Sequence, residues 1–248
     1  MYVIFTDIDN TIIDDTYSAS KVRKEIEIVK RKGIPLVFMS SKTRYEVEYY
    51  RQELGIEDPF STENGSFIFI PEDYFTFKFP FDYRLNRYLV LKMGEDYRKL
   101  RKTFLEMRKN RNVNAIGFGD LSINEISEIT GLPRKLAKLS KQREGDEPFI
   151  TEDKGFVDML KKMGFNVVKG GRFYHLMGNT DKGKAFKRIF ELYKREYPDV
   201  ISVAFGDADN DLQMLQSADI SYLVTSPEEW KKRIRMLLKE NIDVSQDL

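Results

Sequence analysis

The sequence predicts an α/β fold, a doubly wound parallel sheet of Rossmann-like architecture with a second α+β unit inserted into it. Three observations carry this. Four short apolar runs do not alternate with polar residues, as strands buried on both faces do not. Amphipathic helical segments separate them. Between residues 81 and 171 the pattern changes to a mixture of short strands and charged helices. The expected division is therefore a core of residues 1–80 and 172–248 around an insert of residues 81–171.

The first run is Tyr2-Val3-Ile4-Phe5 and the second Leu36-Val37-Phe38-Met39. Between them, residues 20–29 have helical apolar spacing, with Ser20 as the expected N-cap. Lys30-Arg31-Lys32-Gly33 supplies the cations and glycine that suit a helix C-terminus, completing a βαβ unit. Within the insert, strands are expected at 88–91, 113–118, 148–150 and 165–168. Helices are expected at 95–109, at 152–163 and in two short pieces around Gly131-Leu132-Pro133, giving two βαβ-like halves. After it, residues 182–197 form an amphipathic helix ended by Pro198, feeding strands at 200–205 and 220–224. Pro227 opens a last helix whose Trp230, Ile234, Leu237 and Leu238 make one core-facing stripe.

Composition narrows the chemistry. The 248 residues include no cysteine and one histidine, which excludes disulfides, thiolate metal sites, cysteine nucleophiles and multi-histidine metal centres. Lys+Arg 41 against Asp+Glu 40 gives no bias toward nucleic acid or membranes. No apolar run approaches the ~20 residues a membrane span needs, and no basic and apolar leader opens the sequence. A cytoplasmic protein is expected, and high charge of both signs without cysteine fits a hot environment.

The polar residues at the strand ends are the informative ones. Asp7 and Asp9 follow the first run, Ser40 and Ser41 the second, and Gly206-Asp207-Ala208-Asp209-Asn210-Asp211 the third. Ligands of open α/β sheets bind beyond the carboxyl ends of the strands, at a topological switch point. Converging carboxylates need a cation, and an oxygen-only donor set selects a hard one, Mg²⁺ first and Ca²⁺ or Mn²⁺ second. Such a site handles phosphate. One aspartate can attack phosphorus, and a second, two residues on, can protonate the leaving oxygen and then activate water.

Asp7-Ile8-Asp9-Asn10-Thr11 resembles the DxDxT signature of haloacid dehalogenase-type phosphatases. Ser40 is similar to their second motif, Lys182-Gly183 to the third and Gly206-Asp207-x-x-Asn210-Asp211 to the fourth, all in order. The resemblance implies Asp7 as nucleophile, Asp9 as general acid/base and Lys182 as a catalytic and phosphoryl-binding cation. It implies Mg²⁺ held by Asp7, Asp9 through its backbone carbonyl, and Asp207, with Asn210 and Asp211 supporting the metal and the lysine. Ser40 and Ser41 would face the phosphoryl oxygens, and the insert would be a mobile C2-type cap.

Local sequences resemble one branch, the mannosyl-3-phosphoglycerate phosphatases. They are Ser40-Ser41-Lys42-Thr43, Thr62-Glu63-Asn64-Gly65, Arg143-Glu144-Gly145-Asp146-Glu147-Pro148, Gly170-Gly171-Arg172-Phe173 and Gly178-Asn179-Thr180-Asp181-Lys182-Gly183. The second of these borders the site through Asn64 on the family pattern, although Asn-Gly equally suits a plain hairpin. The implied partner is a small phosphorylated sugar-glycerate, whose carboxylate and phosphate call for an arginine fork. Arg172 is the first candidate and Arg143 the second; Lys169 also sits at a segment end. Another sugar-phosphate phosphatase, or a phosphomannomutase-like phosphomutase, is the alternative on this scaffold.

Competing motifs fail at positions their chemistry requires. The P-loop-like Gly178–Ala185 has Ala185 where a hydroxyl must reach Mg²⁺, and an EF-hand beginning at Asp207 has Leu212 for glycine and Ala218 for glutamate. His175 reads as a packed or edge-strand residue, since aspartates fill the acid/base roles. Lys99, Arg101 and Lys102 read as a solvated helix face.

Overall fold

The computed structural model describes residues 1–243, which form two sheets. The chain begins with β1 (Tyr2–Thr6), α1 (Arg23–Arg31), β2 (Leu36–Met39), α2 (Arg44–Leu54), β3 (Phe60–Thr62) and β4 (Phe67–Pro71). A hairpin of β5 (Tyr83–Leu85) and β6 (Tyr88–Lys92) follows, and then α3 (Tyr97–Arg111). Next are β7 (Ala115–Gly117), α4 (Ile123–Thr130), α5 (Arg134–Ser140), β8 (Asp146–Thr151), α6 (Lys154–Lys162), β9 (Asn166–Gly170) and β10 (Phe173–Met177). The chain continues through α7 (Lys182–Glu196), β11 (Ile201–Gly206), α8 (Leu212–Leu215), β12 (Ile220–Leu223) and α9 (Pro227–Asp243).

The larger sheet has the order β12-β11-β1-β2-β3-β4-β6-β5. Its five strands from β12 to β3 are parallel, as the buried apolar runs required, and β4, β6 and β5 extend it antiparallel. From β1 the chain steps outward through β2 and β3, and it returns on the other side as β11 and β12. The carboxyl end of β1 is thus the switch point. One face packs on α1, α2 and α9, where Trp230, Ile234, Leu237 and Leu238 are all buried. The other packs on α7, with Phe5 edge-on to Phe186, Phe190 and Tyr193.

The smaller sheet is antiparallel, in the order β7-β8-β10-β9, over a core of Leu100, Phe104, Phe149, Phe156 and Leu160. One of the two expected βαβ-like halves exists here: β8 and β9 run parallel through α6, with β10 between them. The other does not, because β6 belongs to the larger sheet.

Both expected boundaries of the insert move. Residues 83–92 pair with the large sheet, and residues 173–177, assigned to the core, are an interior strand of the small one. A strand's apolar pattern tells which face is buried but not which sheet receives it. Ser20 also departs from expectation. It lies in a 3₁₀ turn of residues 20–22 with no capping hydrogen bond, its amide bonded to the Ser18 hydroxyl. Arg101 is not solvated like its helix neighbours; it pairs with Asp120 and with the buried Glu147 at 3.0 Å. Among the described residues no helix is long and apolar enough to cross a membrane.

Candidate active site

The strand register brings the polar ends together. Tyr2 to Thr6 pair with Ile201 to Phe205, so β1 and β11 end side by side, and the Asp7 amide extends the ladder to the Phe205 carbonyl at 2.9 Å. Asp7 and Asp207 therefore leave adjacent strands at one level. Lys182 arrives from the opposite layer, in the first turn of α7, whose amino end is capped by Asp181.

Lys182 is fully buried. Its Nζ stands 2.9 Å from Asp7 Oδ1 and 2.6 Å from Asp211 Oδ1. Burial opposes its charge, but Asp211 and then Asp7 more than offset this and push its pKa above the usual lysine range. The other Asp211 oxygen accepts the amides of Asp207 and Ala208, so Asp211 braces the loop as well as the lysine. Gly206 is required beneath it, because a Cβ there would lie 2.4 Å from the Asp211 Cβ.

Carboxylate oxygens of Asp7, Asp207 and Asp211 lie within 4.8 Å of one another. Asp7 has its pKa raised well above the ordinary value, first by burial, with Lys182 opposing and Asp211, Asp207 and Asp9 adding repulsion. Burial raises Asp207 as well, against a hydrogen bond from Asn10 Nδ2 at 3.0 Å. One ammonium does not balance three carboxylates in such a space. The oxygen-only donors and the excess negative charge suit a hard divalent cation such as Mg²⁺. Asp7 and Asp207 are the residues free to hold it, since Asp211 is engaged on both oxygens. Asn210 donates its amide nitrogen to Asn64 Oδ1 at 2.9 Å, while its own buried oxygen has no hydrogen-bond partner.

Above this cluster opens a cavity of about 540 Å³, lined by Asp7, Asp9, Ser41, Lys42, Asp207 and Asn210 from the larger-sheet side. The small-sheet unit contributes Arg143, Arg172 and His175. Asp9 is a third exposed at its side chain, and Lys42 Nζ lies 2.8 Å from its Oδ1. Lys42, quoted within the Ser40-Ser41-Lys42-Thr43 motif but given no role of its own, is the site residue sequence reasoning missed. It is buried between the rings of Tyr17 and Tyr50 and also faces Glu46 at 3.7 Å. Burial works against its charge, but Asp9 and then Glu46 hold the ammonium on. The signal was available: a lysine three residues past a strand end, with a glutamate four residues on.

The other candidates divide. The Ser40 hydroxyl is buried and accepts the Lys42 amide at 3.2 Å, and the Ser41 carbonyl accepts Arg143 Nη1 at 2.8 Å. Arg143 is inward, its side chain 6 % exposed, whereas Arg172 lies exposed at the rim with Nη1 on the Ile129 carbonyl. Lys169 lies over the Tyr174 ring and does not line the cavity. Asn64 also does not line it; its nitrogen donates to Asp146 Oδ2 and its oxygen accepts Asn210. The turn carrying Asn64 is a β3–β4 hairpin, with Glu63, Asn64 and Gly65 all at positive φ. Gly65 is needed on two counts, a φ of +92° and an Asp181 carbonyl 2.3 Å from where a Cβ would sit. His175 is packed, as one of its two expected readings had it, and not an edge residue. It sits on the interior strand β10, buried, with Nδ1 2.7 Å from Asp146 Oδ2.

A switch-point aspartate pair, a buried lysine and a second acidic loop on a doubly wound sheet define a phosphoryl-handling hydrolase of the α/β class. The family described as haloacid dehalogenase-like hydrolase matches residues 4–243, and the chain belongs to it. At finer grain it is 41% identical over 233 residues to a glucosyl-3-phosphoglycerate/mannosyl-3-phosphoglycerate phosphatase of Methanococcoides burtonii, covering 92% of this chain and 86% of that one. It is 40% identical over 223 residues to a mannosyl-3-phosphoglycerate phosphatase of Pyrococcus furiosus, covering 90% of each. A solved haloacid dehalogenase-like hydrolase from B. subtilis shares the fold at a TM-score of 0.68 and 15% identity, over 95% of this chain and 99% of that one.

Proposed function

We propose that the protein is a Mg²⁺-dependent phosphatase that hydrolyses 2-O-mannosyl-3-phosphoglycerate, and its glucosyl counterpart, to the sugar glycerate and phosphate. The observation carrying this is the Asp7, Asp9, Lys182 and Asp207 constellation beneath a cavity edged by arginines. The names of the relatives supply the substrate class and favour hydrolysis over a phosphomutase reaction.

In this reading the Asp7 carboxylate attacks phosphorus, and the ester oxygen departs with a proton from Asp9. The resulting aspartyl-phosphate is opened by a water that gives its proton back to Asp9, releasing phosphate and restoring both aspartates. Asp9 suits the shuttle, being open to the cavity on one side and held by Lys42 on the other. Lys182 balances charge on Asp7 and on the phosphoryl oxygens. A Mg²⁺ ion held by Asp7 and Asp207 would neutralise phosphoryl charge when bound. Arg143 and Arg172, which line the cavity, would meet the substrate carboxylate. The small-sheet unit would be the cap, joined to the core through residues 93–96 and 178–181.

The test is phosphate release from mannosyl- and glucosyl-3-phosphoglycerate, side by side, with and without Mg²⁺. Turnover of neither ester by an enzyme active on simple phosphoesters would overturn the substrate; a bisphosphate requirement without free phosphate would favour the mutase.

A further inference from the structure

We infer that His175 is a specificity-determining residue, whose Nε2 accepts a hydrogen bond from a hydroxyl of the substrate's sugar. The inference rests on the sugar-phosphoglycerate reading above. It begins from Asp146, which is fully buried on β8, on the strand paired with β10. Asp146 Oδ2 lies 2.7 Å from His175 Nδ1 and 3.2 Å from Asn64 Nδ2, and Arg143 Nη1 is 3.7 Å away.

A carboxylate accepts and does not donate, so the imidazole donates at Nδ1. The Nδ1–H form of a neutral ring carries its lone pair on Nε2. That atom has no hydrogen-bond partner among the described residues, and the ring lines the cavity together with Asp9 and Asn210. It also lies beside Gly170, where a Cβ would approach Nε2 to 3.3 Å, so the glycine keeps the atom open. A fixed ring with a free acceptor at the mouth of a phosphate site is fitted to a polyhydroxylated ligand, because hydroxyls are the donors such a ligand offers. The arginines beside it are donors only and cannot serve this purpose.

The chain's single histidine makes the inference directly readable. In ¹⁵N-histidine NMR the neutral imidazole should be the Nδ1–H tautomer; an Nε2–H tautomer would overturn the acceptor role. His175→Asn places an amide nitrogen near the Nδ1 position, keeping Asp146 partnered, and deletes Nε2. With that variant, kcat/KM for mannosyl-3-phosphoglycerate should fall about tenfold, the size of one hydrogen bond, mostly through KM. Hydrolysis of p-nitrophenyl phosphate, which has no sugar, should stay within about twofold of wild type, given the ordinary size of effects away from the chemistry. His175→Gln, which can present an amide oxygen near the Nε2 position, should recover part of the loss. Equal losses on both substrates, or none on either, would overturn the assignment. If the wild type hydrolyses mannose 6-phosphate but no sugar-phosphoglycerate, the substrate reading fails alone, and His175 is then judged from mannose 6-phosphate against p-nitrophenyl phosphate.

Discussion

Lys42 Nζ lies 2.8 Å from Asp9 Oδ1, which makes a buried lysine from the β2–α2 turn the support of the proposed proton shuttle on the β1 loop. The ammonium cannot leave easily, since Glu46 anchors its other side and it lies over the rings of Tyr17 and Tyr50. Lys42→Met should therefore lower kcat about 10- to 100-fold with little change in KM, the range expected when a reacting group is misplaced by about an ångström. Lys42→Arg should retain more activity. Steady-state kinetics of both variants checks this, and a change confined to KM would reassign Lys42 to substrate binding.

Asp7 is expected to show a conflict between activity and stability. Burial and three neighbouring aspartates disfavour its charge, with only Lys182 in opposition. Asp7→Asn should abolish phosphate release and, without metal, raise the midpoint of thermal unfolding above wild type. About 2–4 °C per kcal/mol is the conversion for a chain of this size. Calorimetry in EDTA decides it; an unfolded or markedly less stable variant would contradict the charge argument.

Removing Lys182 should do the reverse. Lys182→Met leaves Asp7 and Asp211 buried without a counterion, and losing one partner of a buried pair costs about 3–5 kcal/mol. Activity should vanish as well. Added Mg²⁺ should restore part of the stability, whereas in the wild type it should raise the unfolding free energy through mass action, by about 2.7 kcal/mol at a hundredfold excess over Kd. Denaturation across a Mg²⁺ series measures both effects, and indifference to Mg²⁺ would remove the metal from the site.

Sequence reasoning reached the sheet and the polar loops because both are local. Buried strands are apolar throughout, and Asp7, Ser40 and Asp207 stand one residue past them. It failed where partners are distant in the chain. His175 meets Asp146 29 positions away, and the meeting depends on β8 and β10 being neighbours, which no periodicity encodes. The same limit misplaced residues 83–92 and 173–177, whose strand character was plain in one case while their sheet was not. Arg143 gained its inward position from the Ser41 carbonyl, a contact between the two units that composition cannot reveal.

Glu63 offers the last prediction. From the β3–β4 hairpin its carboxylate accepts the Glu144 amide at 3.0 Å and the Gly145 amide at 2.7 Å, joining the hairpin to the segment ahead of β8. Burial is the largest influence on it and raises its pKa to about 8, against Arg143 and the two amides. An acid whose pKa is higher folded than unfolded binds its proton more tightly in the native state, so its protonation stabilises the fold. Its contribution is fully present below the unfolded value near 4.5 and is lost as pH rises to about 8. Asp7 and Asp207 shift in the same direction, so the wild-type slope is shared and only a difference isolates Glu63. Glu63→Gln, which cannot ionise, should flatten the fall in stability between about pH 5 and 8 by up to a few kcal/mol. Chemical denaturation of both proteins at several pH values measures it, and parallel curves would show that Glu63 titrates alike in the folded and unfolded chains.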